Sequence, residues 1–145
     1  MAEHSLRYER FANELTAAGY NVYAHDHRGH GESDWSGDAS YHIEHFAQDL
    51  AALARSFEQR PIVVGASLGG FSAMLGAGEI DTDLFAAIVL VDVTPSINPA
   101  GVSRIHAFMS EHIETGFASL EEVANAVEKL TTRPADETFE AGPLT

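Results

Sequence analysis

Residues 61 to 70 read PIVVGASLGG. The β-branched run Ile62-Val63-Val64 halts at Gly65, shows one hydroxyl at Ser67, and passes through two glycines into the helical run LGGFSAMLGAGE. A strand that becomes a helix within so few residues needs a sharp turn. Such a turn belongs to folds in which strands alternate with helices.

The flanking sequence supplies that alternation. Tyr8, Phe11, Ala12, Leu15 and Ala18 recur at helical spacing over residues 5–18, and Gly19 is placed to end that helix. YNVYAHD, residues 20–26, predicts a short strand, followed by the glycine-punctuated loop HRGHGESDWSGD. Ile43, Phe46, Ala47, Leu50, Ala54 and Phe57 form one helical face over residues 42–58, with Ser40 as the expected N-cap. AAIVLVDV, residues 86–93, reads as a strand buried on both faces. The order αβαβαβ predicts an α/β fold with a parallel sheet flanked by helices.

After Thr94 the pattern changes. Asn98-Pro99 suits a helix start, with Val102, Ile105, Met109 and Ile113 following at helical spacing. Ser119 and Glu122 match a capping box ahead of Val123, Val127 and Leu130. The expected organisation is a sheet-and-helix core over 1–95, a helical segment over 96–133, and a disordered polar tail over 134–145.

Composition narrows the function. The chain has 145 residues and is 45% hydrophobic, enough for one core. Eight Lys+Arg against 22 Asp+Glu give a net charge of −14, which disfavours nucleic acid and anionic lipid. With no Cys there is no thiol nucleophile, disulfide or Cys metal site, and no HExxH-like pair appears, so neither a metal nor a cofactor is expected. No apolar run of 18 residues occurs and MAEHSLRYERF lacks a signal-like apolar stretch, so the expected location is cytoplasmic.

In a parallel sheet, sites lie beyond the carboxyl ends of the strands, which gathers the RGHGES loop, Gly65–Gly69 and Asp92. Gly65-Ala66-Ser67-Leu68-Gly69 matches a G-x-S-x-G turn, in which flanking glycines make room and Ser67 stands above the sheet as a nucleophile. The Leu68 N–H, at the start of the following helix, is the expected oxyanion donor. A serine needs a base, normally a histidine oriented by a carboxylate. His106 and His112 lie in the helix after Pro99 and read as packing or surface residues. His25, His27 and His30 lie near the first strand end and read first as turn and hydrogen-bonding groups, while His42 and His45 read as solvated. Asp92 is either the orienter of a histidine or an anchor for the VTPSIN loop.

HDHRGHGES and GASLGG on this alternating background resemble the α/β-hydrolase superfamily, and residues 1–33 resemble monoacylglycerol lipase and lysophospholipase-type serine hydrolases. The resemblance implies a partial α/β-hydrolase fold with the start of a helical cap. It also implies Ser67 as nucleophile, Leu68 N–H as one oxyanion donor and, as in some members, Asp92 as the acid. No position matches the family's histidine, and the expectation is a chain truncated at both ends. Three functional readings follow. One is a serine hydrolase of acylglycerol- or lysophospholipid-like esters, weak or inactive as this chain. A second is an inert binding module that retains the fold. The third is haloperoxidase-like or C–C hydrolase chemistry on the same fold. An aspartate-nucleophile enzyme is disfavoured because serine occupies the turn. Exposed sheet edges, with Phe46, Leu50 and Phe57 only partly covered, predict self-association.

Overall fold

The computed structural model describes residues 4–96, 99–111 and 115–131, and the side chains of Met109, Leu130 and Thr131 lie outside the described set. The chain divides into two compact units, Met1–Ser96 and Ile97–Thr145.

The first unit opens with a 3-10 turn, Ser5–Tyr8, running into helix α1, Glu9–Ala17. α1 ends as its sequence predicts. Gly19 adopts φ 93°, its N–H donates to Thr16 O, and the Tyr20 N–H reaches back to Leu15 O, a pairing that satisfies the last carbonyls of the helix. Helix α2, Ile43–Arg55, is followed by strand β1, Ile62–Ala66, helix α3, Leu68–Leu75, a π-helical turn, Gly76–Ile80, and strand β2, Ala87–Val91. α2 begins at His42 rather than at a Ser40 cap. Ser40 is instead held by the loop, its N–H donating to Ser36 Oγ and Asp38 Oδ1.

β1 and β2 pair in parallel, Ile62 beside Ala87 through Ala66 beside Val91. They form the one sheet among the described residues, so the expected strand over 20–26 is not realised. A β-favouring run becomes a strand only where an edge lies beside it, and the backbone groups of Asn21–Ala24 meet no such edge. Within the run the Tyr23 ring lies 4.8 Å from Phe57, and just beyond it the His27 ring lies 5.3 Å from Phe46.

The core lies on one side of the sheet. Leu50, Ala51 and Ala54 of α2 meet Ala73 of α3, Leu84 and Phe85, with Val63 and Ile88 of the sheet against them. Small residues set this geometry. Ala47, Ala51 and Ala73 are essentially inaccessible, which lets α2 and α3 approach closely. Buried Ser72 is satisfied by donating to Leu68 O at 2.8 Å. Phe46 and Leu50, expected to be partly uncovered, are 5% and 8% exposed. The uncovered apolar surface is instead the outer face of the sheet. β2 alternates exposed and half-buried residues rather than being buried on both faces, because no described element packs on its outer side.

The second unit holds α4, Pro99–Glu111, and α5, Leu120–Thr131. Half of the capping box forms: the Glu122 N–H donates to Ser119 Oγ at 3.1 Å, while the Glu122 carboxylate accepts the N–H of Ala118, one residue before the cap, at 2.6 Å. Asn98, His112, Ile113 and the expected tail over 134–145 lie outside the described residues.

Candidate active site at the strand-to-helix turn

Ser67 caps α3 with φ 45° and ψ −111°. A non-glycine residue held there stores backbone strain, typically about 1–3 kcal/mol, and persists only where its surroundings fix it. Two contacts fix it here. The Ser67 N–H donates to Val91 O at 3.2 Å, continuing the sheet ladder one residue past β1, and the Ser67 carbonyl accepts the Phe71 N–H at 3.0 Å as the first bond of the helix. The residue therefore belongs to the strand through its nitrogen and to the helix through its oxygen.

The glycines around it are not equivalent. A Cβ on Gly65 would lie 2.5 Å from the carbonyl carbon of Gly69 and 2.6 Å from its oxygen and from Gly70 N, all backbone. A Cβ on Gly70 would strike Val93 Cγ1. At Gly69, by contrast, the nearest atom is His27 Nε2 at 3.8 Å, an ordinary contact. The sequence reading gave Gly65 and Gly69 the same duty of making room. The structure assigns it to Gly65 and Gly70.

Asp92 follows Val91 as Ser67 follows Ala66, and Ala66 and Val91 are register partners, so the two functional candidates stand at the ends of neighbouring strands. Asp92 also adopts a positive φ, 53°, and its exposed carboxylate has no partner among the described residues. The Ser67 hydroxyl likewise makes no hydrogen bond with a described residue. The Leu68 N–H lies in the first turn of α3, where the leading amides of a helix have no intrahelical partner.

The loop after residue 26 is fastened by groups with no role in the sequence pattern. Arg28 grips Asp49 of α2 with two bonds, 2.6 and 2.7 Å, and donates a third to Ser40 O at 3.0 Å. The Arg28 guanidinium holds the Asp49 carboxyl below its usual range. Asp26 accepts the backbone N–H groups of Ser5 and Glu32, which lowers its pKa as well. Asp49 had a legible signal: it is a carboxylate three residues after Phe46, beside the buried stripe of its own helix. His27, fixed between these anchors, has a buried Nδ1 without a partner among the described residues. Burial first, then the neighbouring His25 and His30, push its pKa down to about 4, so the ring is neutral. His45 also departs from expectation, since its Nδ1 is buried, without a partner among the described residues, rather than solvated. His106 lies on α4, in the second unit.

Among the described residues no cluster of three or more His, Asp or Glu could hold a metal ion, and no helix is long and apolar enough to cross a membrane.

A parallel strand pair, a strained serine turn and helices against the sheet define a partial α/β-hydrolase fold. The chain belongs to the family described as serine aminopeptidase, S33, whose pattern matches residues 1–136. It is similar to the monoglyceride lipase homolog of Monkeypox virus, 27% identical over 118 residues that cover 78% of this chain and 42% of that one. It is similar to human monoglyceride lipase as well, 33% identical over 102 residues, 67% of this chain and 33% of the lipase. The non-heme haloperoxidase of Rhodococcus erythropolis is 37% identical over 95 residues, 61% and 34% of the two chains. The chain thus spans between a third and about two fifths of the length of these relatives. No solved structure matches it significantly.

Proposed function

We propose that this chain carries the nucleophile region of a serine hydrolase acting on small carboxylic esters of the acylglycerol or lysophospholipid kind. The single observation behind this reading is Ser67, a non-glycine residue held at φ 45° between β1 and α3, where nothing in packing calls for a hydroxyl. In this reading Ser67 Oγ attacks the acyl carbonyl as its proton passes to water, which returns a proton to the departing alkoxide, and the carbonyl electron pair moves onto oxygen beside the Leu68 N–H. Collapse of that intermediate expels the alcohol and leaves an acyl-enzyme, which water then hydrolyses to the acid. Asp92, at the end of the neighbouring strand, is the orienting carboxylate. The imidazole that would accept the Ser67 proton is not among the described residues bonded to it, so turnover by this chain is weak: a missing general base forfeits about 10² to 10⁴ in rate. The helices of the second unit correspond to the start of the helical cap that the resemblance implies, and the open edges of β1 and β2 fit self-association.

The kinship with monoglyceride lipases supports ester chemistry. The kinship with a non-heme haloperoxidase supports the alternative reaction on the same fold. The unpartnered Ser67 hydroxyl supports the inert binding module. A fluorophosphonate probe separates these readings. Labelling that Ser67→Ala abolishes supports an activated hydroxyl, and an unlabelled but folded chain supports the module. Labelled chain that forms peracid from hydrogen peroxide and a carboxylic acid, read by halide oxidation, but hydrolyses no p-nitrophenyl ester supports the haloperoxidase reading.

A further inference from the structure

His27 stands between the beginnings of two helices. Its ring meets Phe46, in the first turn of α2, edge to face at 5.3 Å. Its Nε2 is the nearest atom, at 3.8 Å, to a Cβ placed on Gly69 in the first turn of α3. Helical side chains lean toward the N-terminus of their helix, and that end carries partial positive charge. The ring therefore lies near the positive ends of both helices.

The groups around it do not suit a further positive charge. On its own segment His25 lies 5.0 Å and His30 6.4 Å away, ring to ring, and Arg28 follows it directly. Two carboxylates act on it, Asp26 and, from α2, Asp49, but both are engaged. Asp26 accepts the N–H groups of Ser5 and Glu32, and Asp49 accepts both bonds of Arg28. α3, LGGFSAML, brings no ionisable side chain. An imidazolium donates from both nitrogens, and the buried Nδ1 has no acceptor among the described residues. Protonation in place would bury an unpaired charged donor beside two helix N-termini.

We propose that His27 is an acid-sensitive wedge: neutral, it braces the first turn of α3 against α2, and protonated, it leaves, loosening the turn that carries Ser67 and the Leu68 N–H. The wedge itself does not rest on Ser67 chemistry; its effect on that chemistry does. The ring's titration agrees with the geometry, since burial first pushes its pKa down from 6.5 to about 4, and burial lowers that of His25 too. A ring that has left its place binds a proton near the ordinary 6.5. The braced state is therefore favoured above pH 6.5 and loses that advantage as pH falls toward 4. Between pH 7 and pH 5 the loosened population rises on the order of tenfold, once solvent screening of the half-buried ring is allowed for.

Amide hydrogen exchange of the 145-residue chain, read by NMR and corrected for the intrinsic pH dependence of exchange, tests this. The reporter is the Phe71 N–H, which donates to Ser67 O and closes the first turn of α3. Its protection should fall about tenfold from pH 7 to pH 5, while the amides of the β1–β2 ladder keep theirs. His27→Gln, neutral at every pH, should remove that fall. His27→Phe, which fills the same space without a proton site, should remove it as well, and decides the matter should the glutamine variant fail to fold. Fluorophosphonate labelling of Ser67, taken as the ratio of parent to His27→Gln at each pH, should follow the same curve. A chain that never labels counts against the hydrolase reading alone, and the exchange result still judges the wedge. Flat protection of Phe71 over this range, a fall that survives in both variants, or a fall shared by the whole sheet overturns the proposal.

Discussion

Adding one methyl group at Gly65 and one at Gly69 gives opposite outcomes, although the two residues look alike in the motif. At Gly65 the new Cβ would sit 2.5–2.6 Å from three backbone atoms of the first turn of α3, about 1 Å inside normal carbon contact. No rotamer change relieves a clash between a Cβ and backbone, so β1 and α3 must separate where Ser67 joins them. Overpacking that side chains can absorb costs about 1–3 kcal/mol, and a clash with backbone belongs at the top of that range. At about 4–8 °C per kcal/mol for a unit of this size, Gly65→Ala lowers Tm by roughly 12–24 °C. At Gly69 the nearest atom is 3.8 Å away, and replacing a helical glycine by alanine gains about 0.5–1 kcal/mol. The two variants should differ by about 4 kcal/mol in urea unfolding. Fluorophosphonate labelling of Ser67 should be lost in Gly65→Ala and kept in Gly69→Ala. A Gly65→Ala protein within 1 kcal/mol of the parent, or a Gly69→Ala protein as damaged as Gly65→Ala, refutes the geometry on which the site is built.

Other perturbations probe its neighbours. Ser67→Gly relieves the positive φ and should raise stability by about 1 kcal/mol while abolishing labelling; unchanged stability would mean that the turn is unstrained. Arg28→Lys keeps the charge but cannot hold Asp49 through two parallel bonds, so limited proteolysis should cut the 27–41 loop faster, and an unchanged rate would show the clamp to be idle. His27 has its folded pKa pushed from 6.5 to about 4, so the unfolded chain binds the proton more readily. Its contribution is present above pH 6.5 and is lost as pH falls toward 4, by about 1–2 kcal/mol once solvent screening of the half-buried ring is allowed for. Unfolding measured across that window should lose most of this slope in His27→Gln, keeping what His25 contributes, and an unaltered slope would place the titration elsewhere.

What the sequence made legible was what depends on near neighbours in the chain. The end of α1 at Gly19, the Ser119 half of the capping box and the turn at Ser67 each rest on bonds or dihedral preferences spanning a few residues, and each appears in the structure. Strand pairing depends on what lies beside the chain, and there the expectations parted from the structure. YNVYAHD and AAIVLVDV both read as strands, yet only the second has β1 beside it. Burial on both faces was read from apolar content that cannot say whether a covering layer exists. The equivalence of Gly65 and Gly69 failed for the same reason, since which glycine is needed depends on the helix turn folding back over the strand.

The same distinction separates the parts of the candidate site that a local pattern suggests from those that only the fold assembles. Ser67 and the Leu68 N–H are fixed by the turn itself, so five residues suffice to announce them. Asp92 is placed by register: it stands beside Ser67 because Ala66 pairs with Val91, and shifting β2 by one residue would move it away and turn its strand over. Arg28 with Asp49, and Asp26 with Ser5, bind across more than twenty residues of chain, and of the four only Asp49 carries a local mark, its place beside the buried stripe of α2. Yet these anchors hold His27 against α2 and the near side of Gly69. The proposed chemistry therefore rests on a nucleophile written in one short motif and on a support assembled from residues that only the fold brings together.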